Sequence, residues 1–221
     1  MSDLTFRGVF DHLYDRLGPQ GWWPAETPFE GAVGAILTQN TAWSNVERAI
    51  AGLKAAGLLA PRAIAEADDE VLADCIRPAG YFNVKAQRLK ALCAFLLEAG
   101  DDGRLAVFAE EGTAAIRDRL LAVKGVGAET ADSILLYALG RPVFVVDAYT
   151  GRIFQRLGLL EPDLGYGAIQ ARFEAHLPRD RALFNEYHAL IVAVGKDFCK
   201  PKPRCPGCPL EALCPVPAAQ A

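Results

Sequence analysis

The chain has 221 residues, 52% hydrophobic and 23% charged, enough for one large domain or two small ones sharing a core and too apolar for a disordered chain. No apolar run reaches the roughly 18 residues of a membrane span. The start, MSDLTFRGVFDHLYDRLG, is charged throughout and has no signal-peptide apolar core, which predicts a cytoplasmic protein. A formal net charge of −4 speaks against a nucleic-acid partner, because polyanion binders are as a rule basic.

In chain order the pattern is helical. Trp22-Trp23-Pro24 precede FEGAVGAILTQ, where Phe29, Val33, Ile36 and Leu37 recur at helical spacing. Val84, Leu89, Leu92, Phe95 and Leu96 do the same in NVKAQRLKALCAFLLEAG, and Gly100 ends that run. An apolar helix end then meets Lys124-Gly125-Val126-Gly127, and a second helix starts at Glu129-Thr130-Ala131 and runs to Leu139. Two glycines around one apolar residue permit a tight turn that turns backbone N–H groups outward at a helix N-terminus, where an anion is favoured. That reads as a helix–hairpin–helix (about residues 120–137), able to grip a DNA phosphate without reading sequence, although taken alone a plain helical turn fits it equally. VFVV at Val143–Val146 is the best strand candidate, although a buried loop feeding a helix fits it equally. Asp147 follows; it reads either as a helix N-cap or as a carboxylate able to activate water or stabilise an oxocarbenium-like sugar. Tyr187–Val194 is apolar on nearly all sides, as a buried helix would be. His12, His176 and His188 show no metal or triad spacing and read as surface or core residues.

Four of the six cysteines fall in one short stretch, Cys199-x5-Cys205-x2-Cys208-x5-Cys214. In a cytoplasmic chain this is not a disulfide framework. Four thiolates so close can surround one tetrahedral metal or one cubane cluster. Structural zinc sites usually pair two C-x2-C knuckles, and here there is one, so the expected cofactor is a [4Fe–4S] cluster, with zinc as the alternative. Lys200, Lys202 and Arg204 lie between the first two ligands, with Lys196 just before, on a loop suited to phosphate. Cys75 and Cys93, isolated on apolar helical faces, read as small core residues.

Hairpin, Val146-Asp147 and a C-terminal four-cysteine stretch, in this order, resemble the endonuclease III superfamily of DNA glycosylases. The resemblance extends to ILTQNTAWSNVERA (Ile36–Ala49) and CIRPAGYFNVKAQRLKAL (Cys75–Leu92), and so covers most of the chain. It implies an all-α fold of two lobes with a DNA cleft between them: residues 24–141 as a six-helix barrel domain carrying the hairpin, and residues 1–23 plus 142–221 as a second helical domain carrying the cluster loop (199–214). It also implies a monomer acting on double-stranded DNA that contains a damaged base, nucleoid-associated and without membrane contact.

The sequence departs from endonuclease III proper at one chemical position. Where that enzyme has a lysine after the hairpin glycines, which forms a Schiff base with the sugar and leads to strand cleavage, this chain has Glu129. A carboxylate cannot form a Schiff base. The expected activity is therefore monofunctional: Asp147 assists water attack at the sugar C1′, the base leaves, and an abasic site remains. WWP, LTQNTxW, RPxGxxN and KGxGxE together are similar to the endonuclease-III-like 3-methyladenine DNA glycosylases, some of which lack the cluster. On that resemblance Trp22, Trp23, Pro24 and Trp43 line the base pocket, where an indole would favour a cationic alkylated purine, and Gln39 or Asn40 fills the space left by the flipped base. The alternatives are a glycosylase for oxidised pyrimidines or mismatched bases with weak or no lyase action, and a DNA-binding relative with reduced catalysis.

The charge reads differently once distributed. Glu66–Asp74 and Glu98–Glu111 together carry −9, which leaves +5 for the rest of the chain, including Lys124 at the hairpin and the cations of the cysteine loop. That pattern suits a one-sided DNA binder with salt-sensitive affinity.

Overall fold

The computed structural model describes residues 4–215, and among them there are helices and turns but no strand. No helix among these residues is long and apolar enough to cross a membrane. The chain divides into two compact units: one takes the chain up to Trp22 and again from Pro142 onward, and the other is Trp23–Arg141. Trp23, assigned from sequence to the terminal unit, belongs to the central one because its indole stacks on Tyr137 and leans on Trp43.

The central unit contains seven α-helices among the described residues: α1 (Pro28–Leu37), α2 (Trp43–Ala55), α3 (Pro61–Glu66), α4 (Asp69–Cys75), α5 (Phe82–Ala99), α6 (Thr113–Leu121) and α7 (Ala128–Ser133). The helical stretch from Pro61 breaks at Ala67 into α3 and α4. There Asp68 accepts hydrogen bonds from the Glu70 and Val71 amides and starts a new helix. α1 is capped by Thr27, has Pro28 at its first position, and is buried along its whole length from Glu30 to Leu37. It packs against α2, α5 and the turn that follows α7. That turn, Ile134–Ala138, is a π-helical continuation of α7, with Leu139 N–H donating to Ile134 C=O. Such widened turns accommodate a residue that ordinary helical spacing would misdirect, and here the turn carries Tyr137.

Much of the acidic surface of this unit is neutralised locally. Arg62 pairs with Asp102 and Glu66, Arg77 with Asp74, Lys90 with Asp69, and Arg119 with Glu111. Most of these pairs are solvent-exposed and add little to stability. The hairpin has firmer support: Arg117 of α6 holds the fully buried carboxylate of Asp132 in α7 by two hydrogen bonds of 2.7 and 3.0 Å.

The terminal unit is built from α8 (Phe6–Leu17), α9 (Ala148–Arg156), α10 (Tyr166–His176) and α11 (Arg181–Asp197). Phe6, Phe144, Phe154, Phe173, Phe184 and Tyr187 form its aromatic core, with edge-to-face and stacked contacts. Val143–Val146 is a buried loop, not a strand. Its backbone is satisfied by α10 side chains: Glu174 accepts from Phe144 N–H, Gln170 donates to Phe144 C=O, and the Tyr166 hydroxyl accepts from Val146 N–H. Beyond α11 the chain from Cys199 to Cys214 turns without regular helix.

Candidate functional site

Asp147 closes the buried loop and opens α9. Its Oδ1 accepts from the Thr150 amide at 2.7 Å and the Thr150 hydroxyl at 2.8 Å, while that hydroxyl accepts from the Asp147 amide, a reciprocal capping box. Asp147 is thus a helix N-cap, and its carboxylate is nearly buried. Oδ2 faces a different partner: Nε2 of His188, on α11, lies 3.6 Å away. This is longer than a hydrogen bond, and it is an ion pair when the imidazole is protonated. Burial works to raise the Asp147 pKa, yet His188 and then the two Thr150 donors outweigh it and hold the carboxyl below its ordinary value. His188 is itself buried, and Trp22 meets its ring edge-on with centroids 6.1 Å apart. Sequence reasoning passed over His188, because a single histidine in an apolar helix carries no spacing signal.

The hairpin joins α6 to α7. Lys124, Gly125 and Gly127 are exposed and Val126 is buried, so the apolar residue anchors the turn while the glycines face outward. Gly125 has φ 86°, which a side chain disfavours. Glu129 is exposed in the first turn of α7. Gln39 reaches this hairpin: its amide group donates to Gly125 C=O at 3.1 Å and to the Thr130 hydroxyl at 2.9 Å, and its oxygen accepts from Arg88. Asn40, next along, is exposed in a left-handed conformation with φ 54°.

Trp23, Trp43 and Tyr137 form one aromatic group. The Trp23 and Tyr137 rings stack at 4.2 Å and 11°, and Trp43 lies tilted at 4.9 Å from Trp23. They rest on the glycine face of α1: a Cβ at Gly31 would touch Trp23 and Ala138, and one at Gly34 would touch both indoles. Gly31 and Gly34, one helical turn apart, thus face the rings on one side of α1. Both tryptophans are half-buried and Pro24 is exposed. Trp22 belongs to the terminal unit, beside His188.

Cys199, Cys205, Cys208 and Cys214 all line one cavity of about 170 Å³, together with Arg156, Phe198 and Leu210 among others. All four are half-buried and none forms a disulfide. Among the described residues no three His, Cys, Asp or Glu side chains converge closely enough to hold a single metal ion. Four thiols lining one cavity are the donor set that either a cubane cluster or a zinc ion would use. Burial, and then the three neighbouring cysteines, raise the Cys208 thiol pKa above its ordinary value. Arg156 ties the loop down, donating to Cys199 Sγ at 3.2 Å and to the Lys200 and Pro201 carbonyls, and Arg152 donates to Cys199 C=O. Lys202 and Arg204 are exposed on the same loop, and Lys200 is half-buried. Cys75 is partly exposed; Cys93 is fully buried, which pushes its thiol up to about 12.

Residues 33–179 match the HhH-GPD superfamily of base excision DNA repair proteins.

The chain belongs to this family.

HhH-GPD relatives match it over nearly its whole length. A Methanocaldococcus jannaschii protein named "Putative DNA repair glycosylase MJ1434" is 48% identical over 206 residues, covering 93% of this chain and 94% of that one. The crystal structure of H. pylori 3-methyladenine DNA glycosylase (MagIII) bound to 1,N6-ethenoadenine is 31% identical with a TM-score of 0.74, covering 87% of this chain and 98% of that one. A non-covalent endonuclease III–DNA complex is 25% identical with a TM-score of 0.79, covering 95% and 93%. The resemblance to the endonuclease III superfamily therefore holds, and with it the assignment to DNA glycosylases, hydrolases of N-glycosyl bonds that act on DNA.

Proposed function

We propose that the chain is a monofunctional glycosylase that removes alkylated purines such as 3-methyladenine from double-stranded DNA. The observation that carries this reading is the Trp23–Trp43–Tyr137 group on the glycine face of α1. The two indoles keep accessible surface while Tyr137 backs them from the core, and electron-rich rings so placed suit a flat cationic base, through stacking and cation–π attraction. A cationic base is already a good leaving group, so the protein needs little general-acid help. Its task is to stabilise the oxocarbenium-like sugar and direct water to C1′. Asp147, held ionised despite its burial, suits that role. Glu129 in place of a lysine removes the amine that strand cleavage requires. Lys124, Gly125, Val126 and Gly127 would hold one phosphate, and Lys200, Lys202 and Arg204 another stretch of backbone.

Cys199, Cys205, Cys208 and Cys214 would hold a [4Fe–4S] cluster. Such a cluster supplies a covalent cross-link that fixes the 199–214 loop and its cations. The similarity to a 3-methyladenine DNA glycosylase at 31% identity supports the substrate class. The test is a panel of duplexes carrying methylated, oxidised, deaminated and mismatched bases, assayed with and without alkali. Release of methylated purines, with strand breaks only after alkali, is the expected result. Breaks without alkali, or release confined to oxidised pyrimidines, would overturn the reading.

A further inference from the structure

We propose that His188 is a positioning residue for Asp147: α11 sets its imidazole Nε2 3.6 Å from Oδ2, fixing the one carboxylate oxygen that Thr150 leaves unheld. The proposal rests on the reading of Asp147 as the group that meets the reacting sugar and water.

Both Thr150 donors converge on Oδ1. A carboxylate held at one oxygen still swings about its Cβ–Cγ bond, so its second oxygen would sample several directions. Directing water at C1′ requires one of them. His188 comes from a different helix, which the contacts of α9 with α11 hold in place. Its own ring is confined by burial, at 6% exposure, and by the edge-on indole of Trp22. An imidazole is an expensive choice in the apolar Tyr187–Ile191 run if packing alone is needed, since a leucine would fill the space without a polar atom.

The electrostatics agree with this geometry. Burial drives the Asp147 pKa up, and His188 is the largest influence driving it down. Other titratable groups near the stretch are engaged elsewhere. From α10, Tyr166 and Glu174 accept from the Val146 and Phe144 amides. On α9, Arg152 and Arg156 donate to the cysteine loop. On α11, Glu186 accepts from the Gln20 amide, and Tyr187 donates to Phe6 C=O, where α8 meets the helix. Removing His188 therefore leaves burial opposed by Thr150 alone, and the carboxyl must titrate at higher pH.

The test compares wild type, His188→Ala, His188→Gln and Asp147→Asn by single-turnover base release from a methylated duplex across the acid range. A carboxyl NMR titration of Asp147 is run alongside and needs no substrate. His188→Ala is expected to slow base release about 10²-fold with duplex affinity unchanged, to move the acidic limb to higher pH, and to raise the pH at which Asp147 titrates. His188→Gln keeps a side-chain N–H that can face Oδ2 and should recover part of the rate. An Asp147 titration that does not move in His188→Ala overturns the proposal. So does a His188→Gln variant no better than His188→Ala with the wild-type pH profile, because that pattern belongs to packing alone. If Asp147→Asn releases base at the wild-type rate, the reading of Asp147 itself fails. An inactive Asp147→Asn beside a fully active His188→Ala condemns only the role of His188.

Discussion

The side chain of Arg88 lies directly against the hairpin glycine Gly125. A Cβ built on Gly125 would fall well inside 3.0 Å of Arg88 carbons. The same Arg88 donates to Gln39, which in turn holds Gly125 C=O and the Thr130 hydroxyl. One arginine on α5 therefore supports both the hairpin and the turn after α1. Gly125→Ala adds a clash to a backbone at φ 86°, and the expected loss of stability is about 2 kcal/mol. Duplex affinity should fall with it. Combining it with Arg88→Ala relieves the clash, so the double variant should lose less than the two singles together. Thermal unfolding and fluorescence anisotropy on a lesion-free duplex measure both effects.

Glu129 occupies the first turn of α7 and is exposed. Glu129→Lys puts an amine where endonuclease III has one. The variant should become trappable on damaged DNA by borohydride reduction, and wild type should not. Trapping of wild type would contradict the monofunctional reading.

The four cysteines around the 170 Å³ cavity should bind iron and sulfide, giving a coloured protein with four iron atoms per chain in the [4Fe–4S] form. Cys208→Ser should lose the visible absorbance and destabilise the terminal unit by several kcal/mol, on the order expected when a structural metal site is broken. Binding of lesion-free duplex should weaken too, because the Lys200–Arg204 stretch is no longer pinned. A colourless preparation containing zinc would replace the cluster with the alternative metal.

Lys85 is buried at 1% exposure, and its ammonium donates to Leu37 C=O and Ala79 C=O, each at 2.8 Å. It closes the C-terminus of α1, where carbonyls lack helical partners. Lys85→Met leaves both carbonyls unmatched, at an expected cost of about 1–3 kcal/mol. Burial, and then Arg88, lower the pKa from 10.5 to about 8. Between those two values the unfolded chain keeps the proton that the folded protein has released, so this residue's contribution to stability rises with pH. The stability difference between wild type and Lys85→Met should therefore widen from about pH 8 to pH 10.5. Denaturant titrations at several pH values measure it.

Several features were readable in the sequence because they are written locally. The α1 and α5 periodicities, the glycines of the hairpin, the Asp147 cap and the cysteine spacing all depend on neighbours a few residues away. Val143–Val146 could not be settled in that way. An apolar run buried on both sides looks the same as strand or loop, and the difference lies in Glu174, Gln170 and Tyr166, which satisfy its backbone from α10. The start of α4 after Ala67 depends on Asp68 acting as a cap.

Residue type and short spacing dictate the helical class, the hairpin glycines, the order of motifs and the carboxylate at Glu129. Tertiary structure alone decided which groups meet. Arg88 and Gln39 are 49 residues apart in the chain. His188 reaches Asp147 from another helix, and Trp23 and Trp43 meet over Gly31 and Gly34. No local pattern encodes those meetings. They follow from how helices pack, which brings distant side chains together only once the apolar faces have found one another.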